Sequence, residues 1–255
     1  MRILYALANT LLFGLMVFFN ALANSLPLNG YNTGQISDMY PSLFTPAGIS
    51  FSIWGLIYFW LLVWLIFNWI SLNNEERFDY LKSLSPWFWI SCILNAAWIV
   101  AWHYLYPGFA LLIMLSLLFV LTKIFLFLNS SSQIQNSRND RLINMVFHVY
   151  FAWICVATIA NTSAWLLSLN FDSYLLSEST WTIIMMLMAC ALALIMLLKY
   201  STKAYALVVV WALFGIAIRW QHADKIFFYT ALGLCVVIFG VMSGMQKRKI
   251  YLSEK

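Results

Sequence analysis

The chain has 255 residues, 64% of them hydrophobic and only 9% charged, with a mean hydropathy of +0.84. Soluble domains carry roughly a quarter charged residues, so an ordinary soluble globule is excluded and a polytopic membrane protein is expected. The net charge of +5 matters for topology; it implies no nucleic-acid partner, because the charges lie between apolar runs.

A hydrocarbon core about 30 Å thick takes roughly 20 apolar residues per helix. Eight runs of that kind follow one another: residues 3–22, 47–70, 87–106, 108–128, 144–167, 179–198, 203–220 and 225–245. They are apolar all round and none alternates with the period of two that a membrane barrel strand shows. The expected fold class is therefore all-α, a polytopic transmembrane helical bundle of about eight spans. The first run ends in Ala21, Leu22 and Ala23 after a lone Arg2, which is also the pattern of a cleavable leader. Its apolar stretch is as long as a full span and exceeds the usual 7–15 residues of a leader. Under either reading residue 24 lies outside.

Asn24 to Pro46 forms the longest outer segment, with no Lys or Arg, one Asp, three Pro and two Gly. It is long enough to fold over a bundle mouth as a lid, and the rival is a plain connector. The second run starts at Pro46, which suits a first helical turn where a missing N–H costs little. Gly48, Ser50 and Ser52 follow and would allow a close neighbour or ligand. Between the second and third runs, and between the fourth and fifth, residues 71–86 and 129–140 read as hydrophilic linkers without motifs.

At 1.5 Å per residue, Trp54 and Trp98 both lie about 12 Å below the outer boundary, with Tyr58 and Asn95 about a turn deeper and Asn161 about 9 Å down. On the fifth run Trp153, Ala157, Asn161 and Trp165 recur every four residues and form one nearly axial stripe. A stripe of small residues plus an amide also suits plain helix contact. Trp69, Trp87, Trp89, Trp181 and Trp220 fit a headgroup belt, whereas Trp54, Trp98 and Trp153 are too deep for it and should point inward. Together these groups can frame an apolar slot with few polar contacts, as small-molecule sites commonly are.

The remaining polar residues carry less. His148 reads as an interfacial or bundle histidine rather than a haem ligand, and His103 and Tyr104 as belt residues. Lys123 can snorkel to the headgroups. Arg219, His222, Asp224 and Lys225 make a small outer turn, Leu198 to Lys203 meets only a loose cholesterol-contact pattern, and Lys247 to Lys249 is a basic anchor. Cys92, Cys155, Cys190 and Cys235 sit singly in apolar runs and suggest neither a disulfide framework nor a metal site. With the N-terminus inside, Arg2, Arg77, Lys82, Lys123, Arg138, Arg141, Lys199, Lys203, Lys247, Arg248, Lys249 and Lys255 face the cytoplasm, and only Arg219 and Lys225 lie outside. That asymmetry places both termini in the cytoplasm.

Three segments resemble the tryptophan-rich sensory protein family, also called the translocator protein or peripheral benzodiazepine receptor family. The residues are Pro46, Trp54 and Tyr58; Leu94, Asn95, Trp98 and Trp102; and Trp153, Ala157, Asn161 and Trp165, in order on the second, third and fifth spans. The likeness covers about residues 1–170, and the chain departs from the family in its first loop, at Gly48 and at Ser52. The resemblance implies a five-helix core over 1–170; the last three spans have no counterpart in the five-helix family and read as a three-helix extension with a basic cytoplasmic tail over 171–255, which would gate, scaffold or form a homodimer. It also implies binding of a tetrapyrrole such as protoporphyrin or haem, or of a sterol-like lipid, with no required cofactor and membrane lipid as the surrounding partner. The ligand-binding residues carried over are Trp54, Tyr58, Asn95, Trp98, Trp153, Ala157, Asn161 and Trp165, with Pro46 and Gly48 at the lid and helix start.

The function expected is an integral membrane, sensor-like binding protein whose aromatic pocket opens outward, most simply in a bacterial cytoplasmic membrane. A facilitative transporter or permease is the alternative; no Asp or Glu lies well inside a span, which disfavours ion coupling. An enzyme is the least favoured reading, for want of a nucleophile, an acid–base pair or a metal cluster.

Overall fold

The structure, a computed structural model, describes residues 1–26, 28–130, 138–169 and 177–253, with the backbone alone at 138, 139 and 246–253. Among these residues all regular structure is helical. The helices are α1 (Arg2–Ser25), α2 (Thr33–Met39), α3 (Ile53–Ile70), α4 (Glu75–His103), α5 (Pro107–Ser130), α6 (Arg138–Ser168), α7 (Glu178–Tyr200), α8 (Lys203–Trp220) and α9 (Lys225–Ser253). Short 3-10 turns occupy Leu28–Gly30 and Gly48–Ser52. Eight helices are long and apolar enough to cross a membrane, α3 being extended in that sense by the turn at Gly48.

The exposed faces are those of a lipid-bathed chain. On α3, Leu56, Phe59, Leu62 and Ile66 are exposed while Ile57, Leu61, Trp64 and Leu65 are buried, so one apolar stripe meets the interior and another faces out. A protein in water would not leave that second stripe uncovered. Hydrocarbon accepts it.

The chain divides into two compact units, one of residues 1–41 with 52–170 and the other of 42–51 with 171–255. In the first, α1 packs on α3 and α4, α4 on α5, α5 on α6, and α6 back on α3. Five helices thus close a ring. In the second, α7, α8 and α9 each pack on the other two.

The first supposed linker is mostly helix, and the described ends of the second are helical too. Residues 71–86 shrink to a four-residue connection, because α4 begins at Glu75 behind Asn74, whose side chain accepts a hydrogen bond from the Arg77 N–H at 3.1 Å. Glu75 and Glu76 then lie in the first turn, where negative charge complements the helix dipole. Pro86 is accommodated within α4 on an exposed position, where its missing N–H removes one backbone bond. Likewise α6 starts at Arg138, inside the second supposed linker. Residues 131–137 of that linker lie outside the described residues.

Within the first unit, residues 28–41 are folded rather than a loose connector. Asn32 and Gln35 form a capping box at the start of α2, each side chain bonding the other's backbone N–H at 2.9 Å. Asn29 donates to the His103 carbonyl at 3.1 Å, and Tyr40 lies 5.7 Å from the Trp102 ring. Burial pushes the Tyr40 phenol pKa up from its ordinary value.

The adjoining turn shows why Pro107 can start a new helix at once. Tyr106 N–H bonds to Ala101 O and Leu105 N–H to Trp102 O, both at 3.1 Å, with Leu105 at φ 59°. This is the paired-bond helix ending that normally carries Gly at the left-handed position.

Candidate functional site

The site grows from Trp54, on the first turn of α3. Its ring stacks on Tyr58 one turn along at 5.5 Å, lies 6.1 Å from Trp98 of α4, and meets Tyr150 and Trp153 of α6 edge-on at 5.8 and 6.4 Å. Trp98 in turn stacks on Trp102 at 6.1 Å. Spacings of 4.5–7 Å are those of rings in direct contact. Indoles from α3, α4 and α6 therefore converge inside the ring of helices, and Trp54 and Trp98, which helical rise puts at one depth, are in contact.

Beneath the indoles lies a layer of amides and phenols. Asn95 donates to the Tyr150 hydroxyl at 2.9 Å, while its carbonyl oxygen accepts from Asn20 of α1 at 2.8 Å and from the Tyr58 hydroxyl at 3.5 Å. One side chain thus joins α1, α3, α4 and α6. Higher up, the Trp98 N–H donates to Asn161 Oδ1 at 3.0 Å, and Asn161 Nδ2 donates to the Ala157 carbonyl at 2.9 Å. In hydrocarbon an unmet amide or indole N–H costs several kcal/mol, which explains why these polar atoms find one another.

The expected site residues divide. Trp54, Tyr58, Asn95, Trp98, Trp153 and Asn161 share this interior, and Ala157 joins them through its carbonyl. Trp165 stands apart, 36% exposed, its indole lying over Gly108 in the first turn of α5. A Cβ on Gly108 would come within 2.8 Å of the Trp165 Nε1. Gly48 begins the 3-10 turn before α3, and no protein atom lies within 4 Å of where its Cβ would be. Pro46 lies in the segment 42–51, which belongs to the second unit.

Several other tryptophans and histidines find partners within the chain. The Trp89 N–H donates to Asn9 Oδ1 at 2.6 Å, and Asn9 Nδ2 reaches Ser85 Oγ at 3.0 Å. Trp220 donates to the Leu43 carbonyl at 3.0 Å. His103 is fully buried, with Nδ1 2.7 Å from the Ile99 carbonyl. His148 packs its ring 5.1 Å from Phe125. Depth along a span singles out the inward indoles, yet depth says nothing about which way round the helix a side chain points.

Asn20 and Tyr150 belong to the site without having been expected there, although both leave signals in the sequence. Asn20 is an amide inside an apolar run, which demands a partner, and Tyr150 precedes Trp153 by three residues, placing the two rings on one helix face.

The fold and this interior define an integral, multi-pass α-helical membrane protein with an aromatic cluster above a polar layer. The chain matches the family model described as TSPO-like protein over residues 6–244, and it belongs to that family. The matched range runs beyond residue 170 and takes in α7, α8 and most of α9. Neither a curated protein nor a solved structure matches the chain.

Proposed function

We propose that this protein binds a flat, apolar ligand, such as a tetrapyrrole or a sterol-like lipid, against the aromatic cluster around Trp54. One observation carries the reading: Trp54 touches rings from two other spanning helices, while Trp98, Asn95 and Asn161 bond within the protein. What the cluster offers a ligand is ring face, with little hydrogen-bonding capacity, and ring face selects a flat hydrophobic partner. Tetrapyrroles and sterol-like lipids come from the family resemblance. Because the rings are already in mutual contact, binding requires them to part, and the ligand replaces ring–ring contact by ring–ligand contact.

The Lys and Arg distribution supports cytoplasmic termini, which puts Trp54 towards the opposite face of a bacterial cytoplasmic membrane. Access from that side is the corresponding reading. The test is titration of the protein in nanodiscs with protoporphyrin, following quenching of indole fluorescence. Trp54→Leu combined with Trp153→Leu is expected to weaken apparent affinity at least about tenfold, as the loss of one to two aromatic contacts implies. Unaltered affinity in the double variant removes this site.

A further inference from the structure

The segment 42–51 packs with the last three helices as part of the second unit. Three hydrogen bonds attach it to α8: Ala47 N–H to the Gly215 carbonyl, the Trp211 indole N–H to the Ser50 carbonyl and the Trp220 indole N–H to the Leu43 carbonyl, each at 3.0 Å. They fall near both ends and in the middle of a ten-residue stretch. Ser42, Phe44, Thr45 and Ser50 within it are buried.

Gly215 explains why a glycine stands in the middle of α8, where it costs about 1 kcal/mol relative to alanine. A Cβ there would sit 1.9 Å from Ser50 Oγ and 3.0 Å from Pro46 Cβ. The absence of a side chain lets the segment's backbone come close enough for Ala47 to reach the Gly215 carbonyl.

The chain then runs directly into the aromatic cluster. The 3-10 turn Gly48–Ser52 passes without a break into α3 at Ile53, and Trp54 follows Phe51 by three residues. We infer that α8 is a clamp on the lead-in to the Trp54 helix, with Gly215, Trp211 and Trp220 as positioning residues that set where Trp54 begins its turn. The coupling runs along the peptide chain, because a helical turn held at Ala47 and Ser50 fixes the phase of the next one. The consequence for ligand rests on the proposed function above; the clamp itself does not.

The test uses the full chain labelled with 5-fluorotryptophan, in which the Trp54 fluorine resonance is assigned by its disappearance in Trp54→Phe. Two variants are compared with the parent, Gly215→Ala, which crowds Ser50, and Trp211→Phe, which keeps a ring but removes the donor. Both should speed amide exchange in the 42–51 peptide about tenfold, the value of one lost hydrogen bond, with exchange in α4 unchanged. Both should also shift the Trp54 resonance and weaken protoporphyrin quenching by a similar factor. Should Gly215→Ala fail to fold, Trp211→Phe carries the same readouts. Exchange at 42–51 that does not change, or a Trp54 resonance that stays put when exchange does change, overturns the clamp. A parent protein that ignores protoporphyrin overturns the ligand reading instead, and the exchange and fluorine measurements still decide the clamp.

Discussion

Asn95 shows how much one side chain can be asked to do in a membrane. Its amide gives a hydrogen bond to Tyr150 and takes one from Asn20, with a longer one from Tyr58, so its removal strands groups on three other helices. Asn95→Leu is expected to destabilise the protein by roughly 1–3 kcal/mol, the cost of leaving buried partners unmet, read as a lower thermal midpoint in detergent. Tyr150→Phe should cost less, since it leaves Asn95 with its carbonyl contacts intact. At this scale the inward direction of Trp54, Trp98 and Trp153 was legible, because burial of an indole deep in a span forces the choice. For Trp89, Trp220 and His103 it was not, since a residue near a span end can satisfy its polar edge either at the headgroups or on another part of the chain.

Elements were legible where hydrocarbon dictates them and obscure where they leave it. The early start of α4 had a signal in Asn74, Glu75 and Glu76, and its buried stripe of Leu81, Leu84, Phe88 and Cys92 continues from the polar half into the span. The charge content of the stretch masked that periodicity. This early start places Arg77 where it pairs with Asp140 of α6, lies 3.7 Å from the centre of the Phe67 ring and donates to Ser71 Oγ at 3.1 Å. Nearby, Tyr80 donates to Asn144 at 2.7 Å. These contacts hold the ends of α3, α4 and α6 together. Arg77→Ala is expected to cost roughly 1–3 kcal/mol, being a partly buried charged hydrogen bond. Arg77→Lys should recover only part of that, because an ammonium has neither the fork nor the flat face. A double-mutant cycle with Asp140→Asn, followed by thermal unfolding, isolates the pair, and a coupling indistinguishable from zero would show that the ring stacking matters instead.

On the scale of the whole molecule, the five-helix ring and the α7–α9 unit are not divided where the chain would suggest. Residues 42–51 precede α3 in sequence but associate with helices that come after residue 171. A chain ended after residue 170 therefore keeps every helix of the ring and loses all the partners of Leu43, Ala47 and Ser50 on α8. Hydrogen exchange should then show the 42–51 peptide approaching the rate of an open loop while α1 and α4 stay protected. Protection of that peptide in the shortened chain would mean that the ring holds it unaided.

The all-helical class and the eight spans followed from the amino-acid sequence alone, because hydrocarbon leaves a backbone no other way to satisfy its own N–H and C=O groups. That constraint is local, so a run of about 20 residues states it in full. Which helices adjoin in the ring, why Asn95 sits at the crossing of four of them and why Gly215 must lack a side chain were decided only in three dimensions. Those outcomes depend on rotation about each helix axis and on pairings such as Trp211 with Ser50, 161 residues apart, for which hydropathy carries no mark.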